Sequence, residues 1–258
     1  MNAHVCRHGL TYDRAAGVSV KSAWIRARKA EQQYAVQLRK IAHQIDLLTK
    51  QFNPDEWASN GWIAESLEKY AQALEPWARA AGVRMVAEVA ARDKQAWQQV
   101  AAQMGRALHK EIEEAPTGAA MRESLAEQVR LITSLPREAA ERVHALTLQG
   151  IAEGTRAKEI AARIFETGDV TKARATLIAR TEVARTATEL VKARAVHVGS
   201  TEFIWRTAGD SDVRASHRKL NGKAFRWDKP PLCDPPDHEA LPGCIWNCRC
   251  YAEPIIPD

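Results

Sequence analysis

The apolar positions of the chain recur at helical spacing over most of its length and become strand-like only near the end. Tyr34, Leu38, Ile41, Ile45, Leu48 and Phe52 follow one another at intervals of 4, 3, 4, 3 and 4 residues. That heptad-like seam, in a pattern opening at Ser22, predicts an amphipathic helix packed in a bundle or a short coiled coil. Asn53-Pro54-Asp55-Glu56 then predicts a helix restart, with Asn53 as cap and Pro54 at the first helical position. Trp57, Trp62, Leu67, Tyr70, Leu74 and Trp77 follow, and Pro76 is expected to kink or restart that helix. Trp97, Val100, Met104, Leu108 and Ile112 form the next stripe, ended by Pro116-Thr117-Gly118. Tryptophans at such spacing are expected to be core anchors.

Shorter helices are predicted beyond Met121. One covers 121–134 and breaks at Leu135-Pro136; a second covers 137–152, with Gly154 as a C-terminal cap. Thr155 is expected to cap a helix through Phe165 that Gly168-Asp169 closes. A long helix over 171–197 then stops at Gly199. After it, residues 201–207, 223–227 and 250–256 carry the aromatic and β-branched content of short strands. A loop rich in Pro and Asp spans 228–243. The predicted fold class is α+β: a long helical N-terminal half followed by a compact mixed C-terminal module with short strands and a Cys/His loop. The boundary falls near 115–135, dividing 1–120 from 121–258.

Composition excludes several classes. The 258 residues are 45% apolar and 27% charged, enough to bury a core and too apolar for wholesale disorder. No run approaches the about 18–20 consecutive apolar residues of a membrane span. The first ten residues lack an apolar stretch, so no secretory leader is predicted. Charge is segregated: 1–50 carry +6, 51–170 carry −4, 171–227 carry +7 and 228–258 carry −4. Such basic segments suit a polyanion or an acidic protein patch, although solvated helix faces show the same bias.

Four of the five cysteines, Cys233, Cys244, Cys248 and Cys250, lie in the last 26 residues. With His217 they supply the thiolate and imidazole donors that zinc favours. On a strand, Cys248-Arg249-Cys250 would point both sulfurs to one face. His217, Cys248 and Cys250 form the expected core of one structural zinc site, with Cys233 or Cys244 as fourth ligand. Two disulfides or unlinked buried thiols are the rival readings. A catalytic reading would use His217 as base oriented by Asp212, with Cys248 as nucleophile beside Arg249. Asp210 and Asp212 are more simply turn-shaping residues.

Leu177-Ile178-Ala179-Arg180-Thr181-Glu182-Val183-Ala184-Arg185 leads into the helix that stops at Gly199. Then come Trp205, Asp212-x-Arg214-x-x-His217, Leu220-x-Gly222, Pro230-Pro231 and Asn247-Cys248-Arg249-Cys250. In order and spacing these blocks, spread over residues ~122–254, resemble the phage Mu F-like head morphogenesis family of minor head proteins. The resemblance implies a structural, non-enzymatic protein of a tailed-phage or prophage head. It would be made in the host cytoplasm and carried in the virion, in low copy, in the capsid interior or at the portal vertex. Implied partners are the portal protein, other head or scaffold proteins, and packaged DNA held through phosphate contacts, in packaging or ejection. Asp212, His217, Cys248 and Cys250 carry over as a structural constellation. Arg180, Thr181, Glu182, Trp205, Arg214, Gly222, Asn247 and Arg249 are the accompanying motif residues. A buried Glu182 would anchor the loop around Arg214, and an exposed one would pair with Arg185. A non-specific DNA-binding protein and a toxin-like effector using His217 and Cys248 are the alternatives.

Overall fold

The computed structural model describes residues 27–53, 61–103, 109–234 and 238–257. The helix restart expected at 53–56, Trp57, Met104 and Leu108 lie wholly or mainly outside them. Among the described residues seven helices come first: α1 (Arg28–Thr49), α2 (Gly61–Ala73), α3 (Glu75–Gln103), α4 (His109–Glu114), α5 (Thr117–Ala152), α6 (Ala157–Phe165) and α7 (Thr167–His197). The strands follow, interrupted by one short helix: β1 (Glu202–Arg206), α8 (Ala215–Leu220), β2 (Ala224–Arg226), β3 (Leu232–Asp234), β4 (His238–Glu239) and β5 (Tyr251–Ile255). The α+β class and its order along the chain are as the pattern predicts. No described helix is long and apolar enough to cross a membrane.

The chain forms two compact units, each discontinuous in sequence. One is built from Arg28–Ala87 with Arg122–Val183. Here the seam of α1 buries Tyr34, Leu38, Ile41 and Ile45. On α2 the buried stripe is Ile63, Leu67 and Ala71, while Trp62 stays 37% exposed. The expected tryptophan anchor fails at Trp62 because the neighbouring isoleucine, not the indole, falls on the inward face. Pro76 stands in the first turn of α3, where its missing N–H costs nothing.

Two helix boundaries differ from expectation. α5 runs straight through Pro136. Leu131, Ile132, Leu135 and Ala139 are all buried, and burying that stripe outweighs the ~3 kcal/mol a mid-helix proline costs. Thr133 and Ser134 hydroxyls also bond the carbonyls of Val129 and Leu131 in the preceding turn. Gly168-Asp169 opens α7 rather than closing α6. A Cβ at Gly168 would collide with the side chain of Asp46, so the glycine permits close approach, and Asp169 faces the positive helix end. Gly154, at φ +65°, does cap α5. Its N–H and that of Thr155 reach the carbonyls of Ile151 and Gly150 in a Schellman arrangement. Thr155 is thereby spent on α5, and Arg156 holds the cap position of α6.

The other unit takes Glu88–Met121 and Ala184–Asp258. Its sheet is antiparallel in the order β2-β1-β5, with Phe203 opposite Phe225 on one side and Pro254 on the other. Pro254 is tolerated because β5 is an edge strand. The segment expected as loop holds a second, two-stranded sheet, β3 with β4. Trp97, Val100, Ile112, Val191, Phe203, Trp205, Trp227, Cys233, Cys248 and Cys250 are buried in one apolar cluster. Within it, Phe203 and Trp227 rings lie 4.6 Å apart.

A buried cysteine and histidine centre

His217 sits in the middle of the six-residue helix α8, with 2% of its surface exposed. α8 is placed by bonds at both ends. Arg214, its N-cap, donates to the carbonyl of Trp246 at 2.9 Å, and Arg218 donates to the Val213 carbonyl. Beyond it, Gly222 adopts φ +80° and donates to Trp205. Trp205 in turn presents an edge-on ring 5.3 Å from the imidazole.

Cys248 and Cys250 approach His217 from the segment before β5. Both sulfurs face Nδ1, at 3.6 Å and 3.4 Å. The two cysteines precede the strand rather than lying on it, so pleat alternation does not align them. A turn does: the Cys248 N–H bonds the Ile245 carbonyl, with Asn247 left-handed at φ +60°, a conformation asparagine tolerates. The Cys248 sulfur then accepts two backbone N–H groups, from Gly243 and Cys250, each at 3.4 Å. Gly243 is required here. Its φ is +85°, and a Cβ would lie 3.1 Å from the Cys250 carbonyl oxygen. α7 holds this segment in place, as Thr188 donates to the Pro242 carbonyl at 2.7 Å and Arg185 to the Cys244 carbonyl at 3.1 Å.

The charges follow from this geometry. The Cys250 thiol, the imidazole and the two backbone N–H groups pull the Cys248 thiol down to about 4, against the effect of burial. Cys250 is pushed up, first by hydrogen bonding to Cys248 and then by burial. Burial opposes charge on His217, but the Cys233 and Cys248 thiols more than offset it and hold its pKa up to about 9. The centre is therefore a thiolate–imidazolium pair with a second thiol donating into it. These three residues are close enough to offer their ligand atoms to one metal ion, and they are the donors zinc prefers.

The other expected residues fall around this centre or away from it. Cys233 on β3 is fully buried, its sulfur 3.4 Å from the His238 carbonyl. Cys244 is half-buried, with its sulfur 3.9 Å from Glu189. Arg249 pairs with Asp210 at 2.6 Å and Asp212 at 3.1 Å, and the Asp212 N–H bonds Asp210 Oδ1 in the expected turn. Asp212 does not orient His217: its side chain is 76% exposed, and His217 Nε2 makes no hydrogen bond among the described residues. Arg180, Thr181 and Glu182 belong to the other unit. There Arg180 pairs with Glu31, and buried Glu182 accepts from Gln128, which in turn accepts from the Tyr34 hydroxyl. Thr188 carried no sequence signal of its role, whereas Pro242-Gly243 was a readable turn.

The +7 segment is also resolved. All eight of its arginines are engaged internally. Arg174, Arg180, Arg194, Arg206 and Arg226 pair with carboxylates. Arg185, Arg214 and Arg218 donate to backbone carbonyls.

Residues 141–253 match the sequence profile of the family described as Phage Mu protein F like protein. A protein of Haemophilus influenzae (strain ATCC 51907 / DSM 11121 / KW20 / Rd), described as an uncharacterized protein, is 32% identical over 128 residues. That alignment takes in 50% of this chain and 28% of the relative, so the chain spans under a third of the relative's length. No solved structure matches. The stretch that holds His217, Cys248 and Cys250, residues 141–253, is thus similar to the Phage Mu protein F-like family.

Proposed function

We propose that this chain is a minor structural protein of a tailed-phage or prophage head, acting in head morphogenesis near the portal vertex. The observation that carries the reading is the family match over 141–253, which takes in the whole cysteine–histidine centre. The character of that centre supports it. His217 and Cys248 are each 2% exposed, which suits a staple holding a small module together better than a site a substrate must enter. One structural zinc ion would be bound by His217, Cys248 and Cys250. For a loop-rich module with short strands, such a cross-link adds stability that apolar burial alone supplies poorly.

The long helices of the N-terminal half would dock on the portal, scaffold or another head protein through helix packing. Packaged DNA would be touched through phosphates without sequence readout. With most arginines of 171–227 occupied by carboxylates and carbonyls of the same chain, that contact would fall mainly to Lys172, Lys192, Lys219 and Lys223. The test is a particle experiment: delete the gene in the phage or prophage that carries it, and analyse purified heads by mass spectrometry and electron microscopy. The reading expects the protein in wild-type heads at low copy, and fewer or non-infectious heads without it. Its absence from purified wild-type heads, with normal yield and infectivity in the deletion, would overturn the reading.

A further inference from the structure

Building on the zinc reading above, we infer that Cys233, and not Cys244, is the fourth ligand, making the centre Cys3His and tying the β3–β4 sheet to α8. A metal site sealed from water cannot complete its coordination with solvent, and structural zinc sites use four protein donors. His217, Cys248 and Cys250 supply three, exposed by only 2%, 2% and 5%. A fourth donor must therefore come from a side chain already inside the cluster.

Two cysteines compete for that place. Cys233 is 0% exposed and lies in the same apolar cluster as Cys248, Cys250 and Trp205. Its strand packs directly against α8, the helix that carries His217. Its sulfur is turned to the His238 carbonyl at 3.4 Å and lies outside the group of three ligand atoms within 4.8 Å of one another, so joining them takes a change of side-chain rotamer. Cys244 is partly exposed, and its sulfur lies 3.9 Å from the Glu189 carboxylate. The carbonyl of the same residue is held by Arg185, which fixes the backbone there.

Binding converts Cys233 and Cys250 from thiols to metal-bound thiolates, and their protons, with that of the imidazolium, pass to the buffer. The probe is cobalt(II) added to the full chain after chelator treatment, read by its thiolate-to-metal charge-transfer absorption. Three thiolates are expected in the wild type and in Cys244→Ser. Cys233→Ser should lose about one third of the intensity, as the count falls from three to two. X-ray absorption at the zinc edge of the wild-type protein should count three sulfurs and one nitrogen, and it stands even if the Cys233 variant does not fold. Intensity unchanged in Cys233→Ser, or lost in Cys244→Ser, overturns the assignment while leaving the metal reading intact. No cobalt spectrum in the wild type defeats both.

Discussion

Asp93 on α3 and Arg194 on α7 form an ion pair buried in the second unit, with side chains 3% and 7% exposed and Nε–Oδ2 at 2.6 Å. The same guanidinium donates to the carbonyl of Ile112 on α4, so one side chain joins three helices. Replacing Asp93 by Ala leaves that guanidinium buried without its carboxylate, and breaking such a pair costs about 3–5 kcal/mol. Against a typical domain stability of roughly 5–15 kcal/mol, that is a large fraction. The double variant Asp93→Ala, Arg194→Leu should cost less than the sum of the singles, since it removes both charges. Burial pushes the Asp93 carboxyl up to about 6 from 3.8, against the pull of Arg194. Between those values the folded state binds more protons than the unfolded one, so Asp93's contribution is greatest below pH ~4 and is lost as pH rises through 6. At about 1.36 kcal/mol per unit the change is roughly 3 kcal/mol. Urea unfolding of wild type, Asp93→Ala and Asp93→Asn, followed by circular dichroism and tryptophan fluorescence from pH 4 to 8, measures both effects. The stability of wild type minus Asp93→Asn should fall across pH 4–6 and level off above it. A cost below about 1 kcal/mol for Asp93→Ala, or a flat difference profile, would refute this account.

Four further outcomes are expected. Chelator treatment of purified protein should lower its melting temperature and zinc should restore it; an unchanged melt removes the structural role of a metal. Gly243→Ala should destabilise by about 2 kcal/mol or more, because a left-handed backbone and a 3.1 Å approach to the Cys250 carbonyl combine. Denaturant melts check this, and a neutral effect contradicts the turn geometry. Gln128→Leu should cost about 1–3 kcal/mol by stripping a buried partner from both Tyr34 and Glu182. Equal stability in the same melts would show that the network contributes little. Changing Lys172, Lys192, Lys219 and Lys223 to Gln should leave the melting temperature within a few degrees while weakening DNA retention and its salt dependence. A filter-binding series over salt tests it, and an unaltered slope assigns DNA contact elsewhere.

The sequence alone determined which stretches are helical, because their apolar stripes recur at helical spacing, and where the glycine-ended helices stop, because Gly154 and Gly199 take a left-handed cap cheaply. Strands β1, β2 and β5 were legible from their aromatic and β-branched runs, and the family blocks from their order. Periodicity could not show that α5 would carry Pro136, since the compensating burial comes from residues far along the chain. Nor could it show that Gly168 opens a helix, because the reason is the side chain of Asp46 pressed against it. The charge pattern promised a basic face, yet which cations remain at the surface depends on carboxylates and carbonyls brought up by folding. The same holds for the centre. Composition named His217, Cys248 and Cys250 as partners, but it was the left-handed turn at Asn247, the N–H groups of Gly243 and Cys250, and the hold of Arg185 and Thr188 that set two sulfurs against one imidazole nitrogen.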